Sequence, residues 1–252
     1  MTVISQALDK LKLADEARSK YTRLDVEHNQ NFFEDGKKFS DTRRTYEDTW
    51  LYGFPYKNLV AMNGRPLSGK TLDEEKARFE KAVGERKGFD LAERAKVVGG
   101  KHVQEEFELE QILGSGYTLQ TLKSEKLHGA RCHVYLAEPQ MIANPSAEAD
   151  SAFEYKLWIT ETDPFLLKLE ISRRGGVRKR FRDEHGLIVW QLLDGLPVET
   201  HTRFTAFMDV DGRMIEARTD DVYSAYRRFT SSVRIIPGQM ESNSAPKPSS
   251  NP

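Results

Sequence analysis

Downstream of Tyr21 the chain alternates apolar and polar residues at every second position, in stretch after stretch, with only short turn signals between them. Phe153, Tyr155, Leu157 and Ile159 alternate with Glu154, Lys156, Trp158 and Thr160. Phe165, Leu167, Leu169 and Ile171 then repeat the pattern up to Gly175-Gly176. Successive side chains of a strand point to opposite faces, so this period belongs to strands rather than helices. Links this short join antiparallel neighbours, because a parallel neighbour needs a crossover of about a dozen residues or more. The pattern therefore predicts an antiparallel meander.

Turn residues mark its strands. Tyr21 to Phe33 and Lys37 to Tyr52 flank Glu34-Asp35-Gly36, and Tyr56 to Met62 ends at Asn63-Gly64. Tyr117 to Leu127 and Arg131 to Leu136 flank His128-Gly129, and a loose loop runs from Pro139 to Asp150. Val177 to Arg182, Leu187 to Leu193, Val198 to Val210 and Met214 to Val222 complete the set, with turns at Gly186, Gly195-Leu196-Pro197 and Asp211-Gly212. Three segments read as helices. Residues 3–20 carry Ile4, Ala7, Leu8, Leu11 and Ala14 on one face, and residues 71–98 are highly charged with a thin apolar stripe of Leu72, Phe79 and Val83. That stripe suits a surface helix; Gly99-Gly100 ends it, and Val103 to Leu113 forms a shorter one. The expected class is mainly β with α, or α+β.

Several strands are apolar on their second face as well. Trp158, Leu166, Ile188, Trp190, Leu192 and Phe207 stand where a one-sided sheet would place polar residues. Either helices pack on that face, or it lines an apolar cavity under partial helical cover. These six residues are the candidate cavity lining.

Charge argues against several partners. Lys+Arg at 38 nearly cancels Asp+Glu at 39, so no overall field favours nucleic acid or an anionic membrane. The basic cluster Arg173, Arg174, Arg178, Lys179, Arg180 and Arg182 is interleaved with Glu170, Asp183 and Glu184, as strand-edge and turn charges are. No run approaches the roughly 18 apolar residues of a membrane-spanning helix. Met1 to Lys10 lack a basic-then-apolar export pattern, so the protein is either not exported or begins after a removed signal.

The sharpest motif is Gly64-Arg65-Pro66-Leu67-Ser68-Gly69-Lys70-Thr71, which satisfies G-x-x-x-x-G-K-[ST]. In a phosphate loop Lys70 reaches the β- and γ-phosphates and Thr71 holds Mg²⁺. That loop needs a parallel α/β sheet, whereas everything downstream reads as meander. Each residue also has an ordinary role: Asn63-Gly64 as a turn, Pro66 closing it, and Thr71-Leu72-Asp73-Glu74 as a capping box. Nucleotide binding through residues 64–71 is the lesser reading. Cys132 is the only cysteine, and alternation sets it on the opposite strand face from His133, so the two do not converge on one metal. It reads as a small buried hydrophobe. No nucleophile elbow of the type G-x-S-x-G is present, Gly114-Ser115-Gly116 being a linker-like turn, and no pair of carboxylates stands out as acid and base. No cofactor and no catalytic residue is expected.

Leu127-His128-Gly129-Ala130-Arg131-Cys132-His133-Val134-Tyr135-Leu136, followed by Leu157-Trp158-Ile159-Thr160 and Leu169-Glu170-Ile171, resembles the LolA/LolB/RseB-like proteins, the outer-membrane lipoprotein-sorting-like families. Leu196-Pro197-Val198 and the stretch Asp220 to Phe229 fit the closing strands of that meander, and Tyr52 to Gly88 looks like an insertion found in a bacterial branch of the group. The resemblance spans roughly residues 1–236. It implies a curved antiparallel β half-barrel whose concave side is closed by helices, with a charged helical insertion at about 66–113 and a disordered tail at 237–252. It also implies a periplasmic, non-enzymatic protein that binds the acyl chain of a lipid or lipoprotein in an apolar cavity. The alternative is an envelope sensor or scaffold, in the RseB manner, that binds a protein partner.

Overall fold

Twelve strands pair antiparallel in the computed structural model, which describes residues 2–18, 20–52, 54–88, 117–140, 153–173 and 184–228. Helix α1 (Val3–Arg18) leads into β1 (Tyr21–Phe33), β2 (Lys38–Leu51), β3 (Phe54–Met62) and the two-residue β4 (Arg65–Pro66). Helix α2 (Gly69–Lys87) follows. Then come β5 (Tyr117–Thr121), β6 (Glu125–Leu127), β7 (Ala130–Pro139), β8 (Glu154–Thr160), β9 (Leu166–Arg173), β10 (Glu184–Leu193), β11 (Leu196–Val210) and β12 (Arg213–Arg228). The order across the sheet is β4-β3-β2-β1-β12-β11-β10-β9-β8-β7-β5, with β6 also on β7, and the sheet is open. Inside the sheet β1 pairs with β12, joining the first strand to the last of the described residues from Tyr21↔Arg228 to Phe33↔Ile215.

Turn chemistry sets the hairpins. Asn63-Gly64, His128-Gly129, Asp194-Gly195 and Asp211-Gly212 each place two successive residues at positive φ, the conformation whose twist matches that of the strands it joins. The third pair corrects the sequence reading: Leu196 and Pro197 begin β11, opposite Leu193 and Leu192. Gly186 is not a turn either. It lies inside β10, and a Cβ there would come within 2.8 Å of the Phe204 ring and 3.2 Å of Ile171 Cβ. The strand expected over Tyr117 to Leu127 is two, β5 and β6, with residues 122–124 between them. The segments read as a helix at 103–113, a loop reaching residue 150, a turn at 175–176, a strand at 177–182 and a tail at 237–252 lie outside the described residues, as does the end of the charged helix beyond residue 88.

Residues directly opposite each other on neighbouring strands share a face. One row runs across the sheet through Tyr135, Leu157, Leu169, Ile188, Thr202, Asp221, Glu27, Arg44 and Met62. Its β7–β10 half is apolar and its β11–β2 half is polar. On the apolar half sits α1, whose Ile4, Ala7 and Leu8 are buried against Leu157, Ile159, Leu166, Leu169 and Trp190. The helix is tied at its middle by the Lys10–Asp163 ion pair and at its C-terminal end by Arg18 to Glu199 at 3.5 Å.

Bulges break the period of two. Leu167 is an extra residue opposite Trp158 and Ile159, so Phe165 and Leu167 face away from α1 while Leu166, Leu169 and Ile171 face it. Further irregularities fall at Val60, Thr200 and Ala225-Tyr226. On the face opposite α1, Trp158 packs with Cys132, Val134, Phe165 and Leu167, and the burial expected of Cys132 is observed.

The close approach over Gly186 yields a prediction. An alanine in a strand interior ordinarily gains about 0.5–1 kcal/mol over glycine. Here the new methyl meets the fixed Ile171 Cβ and displaces the Phe204 ring, so Gly186→Ala lowers stability by about 1 kcal/mol in urea unfolding. Phe204→Ala in the same background recovers part of that loss. A Gly186→Ala protein as stable as the parent contradicts this packing.

Candidate functional site

The face of the sheet that carries α1 has an apolar zone and a charged zone, and the strand register assigns residues to each. Leu166, Ile188 and Trp190 belong to the apolar zone under α1, and Leu192 lies on the same face, more exposed. Trp158 and Phe207 do not join them. Trp158 lies opposite Lys168 and is sealed on the other face, where its indole N–H donates to Glu125 Oε2 at 2.8 Å and Lys156 and Lys168 flank its ring at 4.5 and 4.2 Å. Phe207, paired with Glu216, points away from the side shared by Phe204 and Gly186. The six expected lining residues are therefore divided between the two faces.

The apolar surface does not stop where α1 stops. Phe204 lies over Gly186 beside the buried cluster, yet its side is 40% exposed. Farther along β11, Met208 and Val210 are 45% and 43% exposed on the same face. Met208 pairs with Ile215, and Ile215 pairs with Phe33, whose ring stacks on the exposed Phe39 at 4.3 Å. An apolar track thus leads from beneath α1 to the tips of the β1–β2 and β11–β12 hairpins. Single exposed apolar residues are ordinary; a contiguous patch marks a binding surface.

Beside this track lies a charged network that the sequence reading missed. The guanidinium of Arg23 donates to Asp48 Oδ2 at 2.9 Å, to Glu199 Oε2 at 3.0 Å and to the Tyr226 hydroxyl at 3.1 Å, and it stacks over the Tyr223 ring at 3.8 Å. Tyr226 in turn donates to the Glu199 carbonyl at 2.5 Å. Two residues on, the fully buried Asp25 meets the Lys57 ammonium at 2.5 Å, and Lys57 lies over the Tyr46 ring. Glu199 stands directly opposite Trp190, so the network begins where the apolar zone ends.

Burial and neighbouring charge set the protonation of these groups. Burial raises the Asp25 carboxyl to about 6, with Asp48 and Asp221 adding to the shift and Lys57 opposing it. Burial alone would raise Glu199 too, but Arg18 and Arg23 outweigh it and hold that carboxyl below its ordinary value. Burial disfavours the Arg23 cation, yet Glu199, Tyr226 and Asp48 more than compensate, and its pKa rises. Tyr223 is raised by burial and by Glu199. The network thus clamps β1, β2, β3, β11 and β12 together with largely compensated charges. Among the described residues no group of three or more His, Cys, Asp or Glu side chains is placed to hold a metal ion. The one available signal for this network was on β1, where Arg23, Asp25, Glu27, Asn29 and Asn31 make one face of the strand polar from residue 23 to residue 31.

The glycine-rich motif does not form a phosphate loop. Met62 pairs with Arg65 across the Asn63-Gly64 turn, Leu67 N–H donates to the Val60 carbonyl, and the surrounding pairings are antiparallel. Helix α2 begins at Gly69 with Ser68 as its N-cap and no side-chain cap bond, so the capping box expected at Thr71 is absent. Lys70 is exposed and paired with Glu74 at 3.5 Å.

Asp25 gives a pH prediction. Its folded pKa of about 6 exceeds the unfolded value of about 3.8, so the folded state binds this proton more tightly. Its carboxylate therefore weakens the fold above about pH 6, and stability returns as pH falls from about 7 towards 4. Asp25→Asn gains on the order of 2 kcal/mol at pH 7, and the gap between variant and parent closes towards pH 4 in denaturant titrations. A variant less stable than the parent at pH 7, with the gap widening as pH rises, contradicts the assignment.

No protein-family model matches the sequence, and no curated protein matches it. Among solved structures, a putative outer membrane lipoprotein-sorting protein domain from Vibrio parahaemolyticus is similar over 90% of this chain and 94% of its own, at 13% identity and a TM-score of 0.37. A LolA superfamily protein from Nitrosomonas europaea is similar over 89% and 94%, at 10% identity and a TM-score of 0.30. A chain of the Pseudomonas aeruginosa MucA/MucB complex is similar over 91% and 100%, at 11% identity and a TM-score of 0.27.

Proposed function

We propose that this protein is a periplasmic, non-catalytic binding protein that holds the acyl chain of a lipid or lipoprotein on the α1 face of its sheet. The observation that carries the reading is the continuity of apolar surface from the buried cluster at Leu166, Ile188 and Trp190, past Phe204, to the exposed Met208 and Val210. An acyl tail gains about 0.8 kcal/mol per buried methylene, so burying ten of them is worth about 8 kcal/mol without any charged specificity group. Helix α1 covers the inner end of this track and shifts to admit the tail. The periplasmic assignment draws on the motif resemblance.

In this reading the sheet curls about α1 as a half-barrel, in keeping with one helix that touches β8, β9 and β11 together and with bulges that bend the strands. Residues 1–236 form one domain, with 66–113 as its insertion and 237–252 as a tail. Trp158 and Phe207, on the other face, take no part in holding the ligand. A second reading, an envelope sensor or scaffold that binds a protein partner, draws on the outer edge of β3.

The two tryptophans on opposite faces supply the test. With Trp50→Phe and Trp158→Phe, only Trp190 reports; with Trp50→Phe and Trp190→Phe, only Trp158 does. Saturating brominated stearate quenches at least half of the Trp190 emission and leaves Trp158 unchanged. Quenching of Trp158 alone, or of neither, refutes the proposed ligand surface.

A further inference from the structure

The outer edge of β3 is covered in an unusual way. Among the described residues its only strand neighbour on that side is β4, which reaches Ala61 and Met62 and no farther. Along the remainder, side chains of α2 take the place of a strand. Glu75 Oε1 accepts from the Leu59 N–H at 3.3 Å, Arg78 donates to the Lys57 carbonyl, and Arg86 donates to the Pro55 carbonyl at 3.1 Å. Residues 55, 57 and 59 are the alternate positions whose backbone groups point outward from one edge of a strand. An exposed edge of this kind is a template for pairing with another chain, and proteins cover such edges.

The cover is attached mainly by polar contacts. Glu75 is buried, accepts from the Tyr56 hydroxyl at 2.9 Å and pairs with Arg78 at 2.7 Å. The apolar contact is small: Ala82, Phe79 and Val83 against Leu51 and Tyr56. Charge over the edge is uneven. Glu75 neutralises Arg78, whereas Arg86 rests on the Pro55 carbonyl and over the Phe54 and Tyr56 rings, with no carboxylate within ion-pair distance among the described residues.

We propose that α2 is a displaceable plug and that the edge it covers binds an extended, acidic polypeptide segment as an additional strand. The segment's backbone takes the Leu59 N–H and the Pro55 and Lys57 carbonyls, as in strand addition generally; α2 moves out by the width of one strand, so that Arg78 and Arg86, released from the β3 backbone, turn to the segment's carboxylates. This site is independent of the α1 face and of any acyl ligand, so either proposal can fail alone.

Ala82→Gln loosens α2 and introduces no charge beside Arg78 and Arg86, which lie four residues to either side. If closed α2 blocks the edge, apparent affinity scales with the fraction of open molecules. A synthetic peptide of repeating Val-Glu-Thr-Glu units then binds Ala82→Gln about tenfold more tightly than the parent. In hydrogen exchange, amides around residues 55–59 exchange faster in the variant alone and are protected again by the peptide. The same peptide with Lys in place of Glu binds at least about fivefold more weakly. Should Ala82→Gln cost the fold, Val83→Asn, at a partly exposed position, opens the same contact. Faster exchange at β3 with no gain in peptide binding overturns the proposal, as does equal binding of the Glu and Lys peptides.

Discussion

The burial of Ile4, Ala7 and Leu8 of α1 against Leu157, Ile159, Leu169 and Trp190 is the contact on which the organisation of this open sheet rests. An antiparallel sheet that never closes has two faces to satisfy, and each apolar stretch must be covered by something. The helix does this for the β7–β10 half of one face. In the rows through Thr202, Asp221, Glu27 and Arg44 the same face turns polar, and the Arg23 network takes over from apolar packing there. Glu199, opposite Trp190 and within reach of Arg18, joins the two regimes.

The division has energetic consequences. Apolar burial tolerates exchange of one greasy surface for another, because the interaction has no direction. The charged network has no such freedom: Arg23 answers Asp48, Glu199 and Tyr226 at fixed geometry, and removing one partner strands another in a buried site. Opening of the kind proposed for an acyl ligand therefore falls on the β7–β11 half, and the fixed geometry of the charged network holds β1, β2 and β12 together. On the far side, the Trp158 cluster under Glu125 and the β6 segment keeps the opposite face closed.

Much of the fold was legible because turn residues and alternation are local. Asn63-Gly64, His128-Gly129 and Asp211-Gly212 marked hairpins, and Tyr21 to Phe33 matched β1 at both ends. Bulges were invisible, since one extra residue leaves no composition signal yet reverses every side chain beyond it. Leu167 illustrates this: Phe165, Leu167, Leu169 and Ile171 read as one face and occupy two. Gly186 was read as a turn because glycine ordinarily breaks strands, whereas here its missing side chain makes room for Phe204. Of the candidate site, the apolar character was readable but its sidedness was not. The charged network, drawn from five strands far apart in sequence, depends on register and could not be assembled from local pattern.

The central claim is that an acyl chain occupies the surface now covered by α1, and a distance measurement tests it most directly. Spin labels at Leu13→Cys on α1 and Leu119→Cys on β5, both at exposed positions, report the separation of helix and sheet while Cys132 stays buried. Pulsed dipolar spectroscopy with saturating oleate is predicted to shift or broaden that separation relative to the free protein. An unchanged distance distribution in a sample with oleate demonstrably bound would contradict the account.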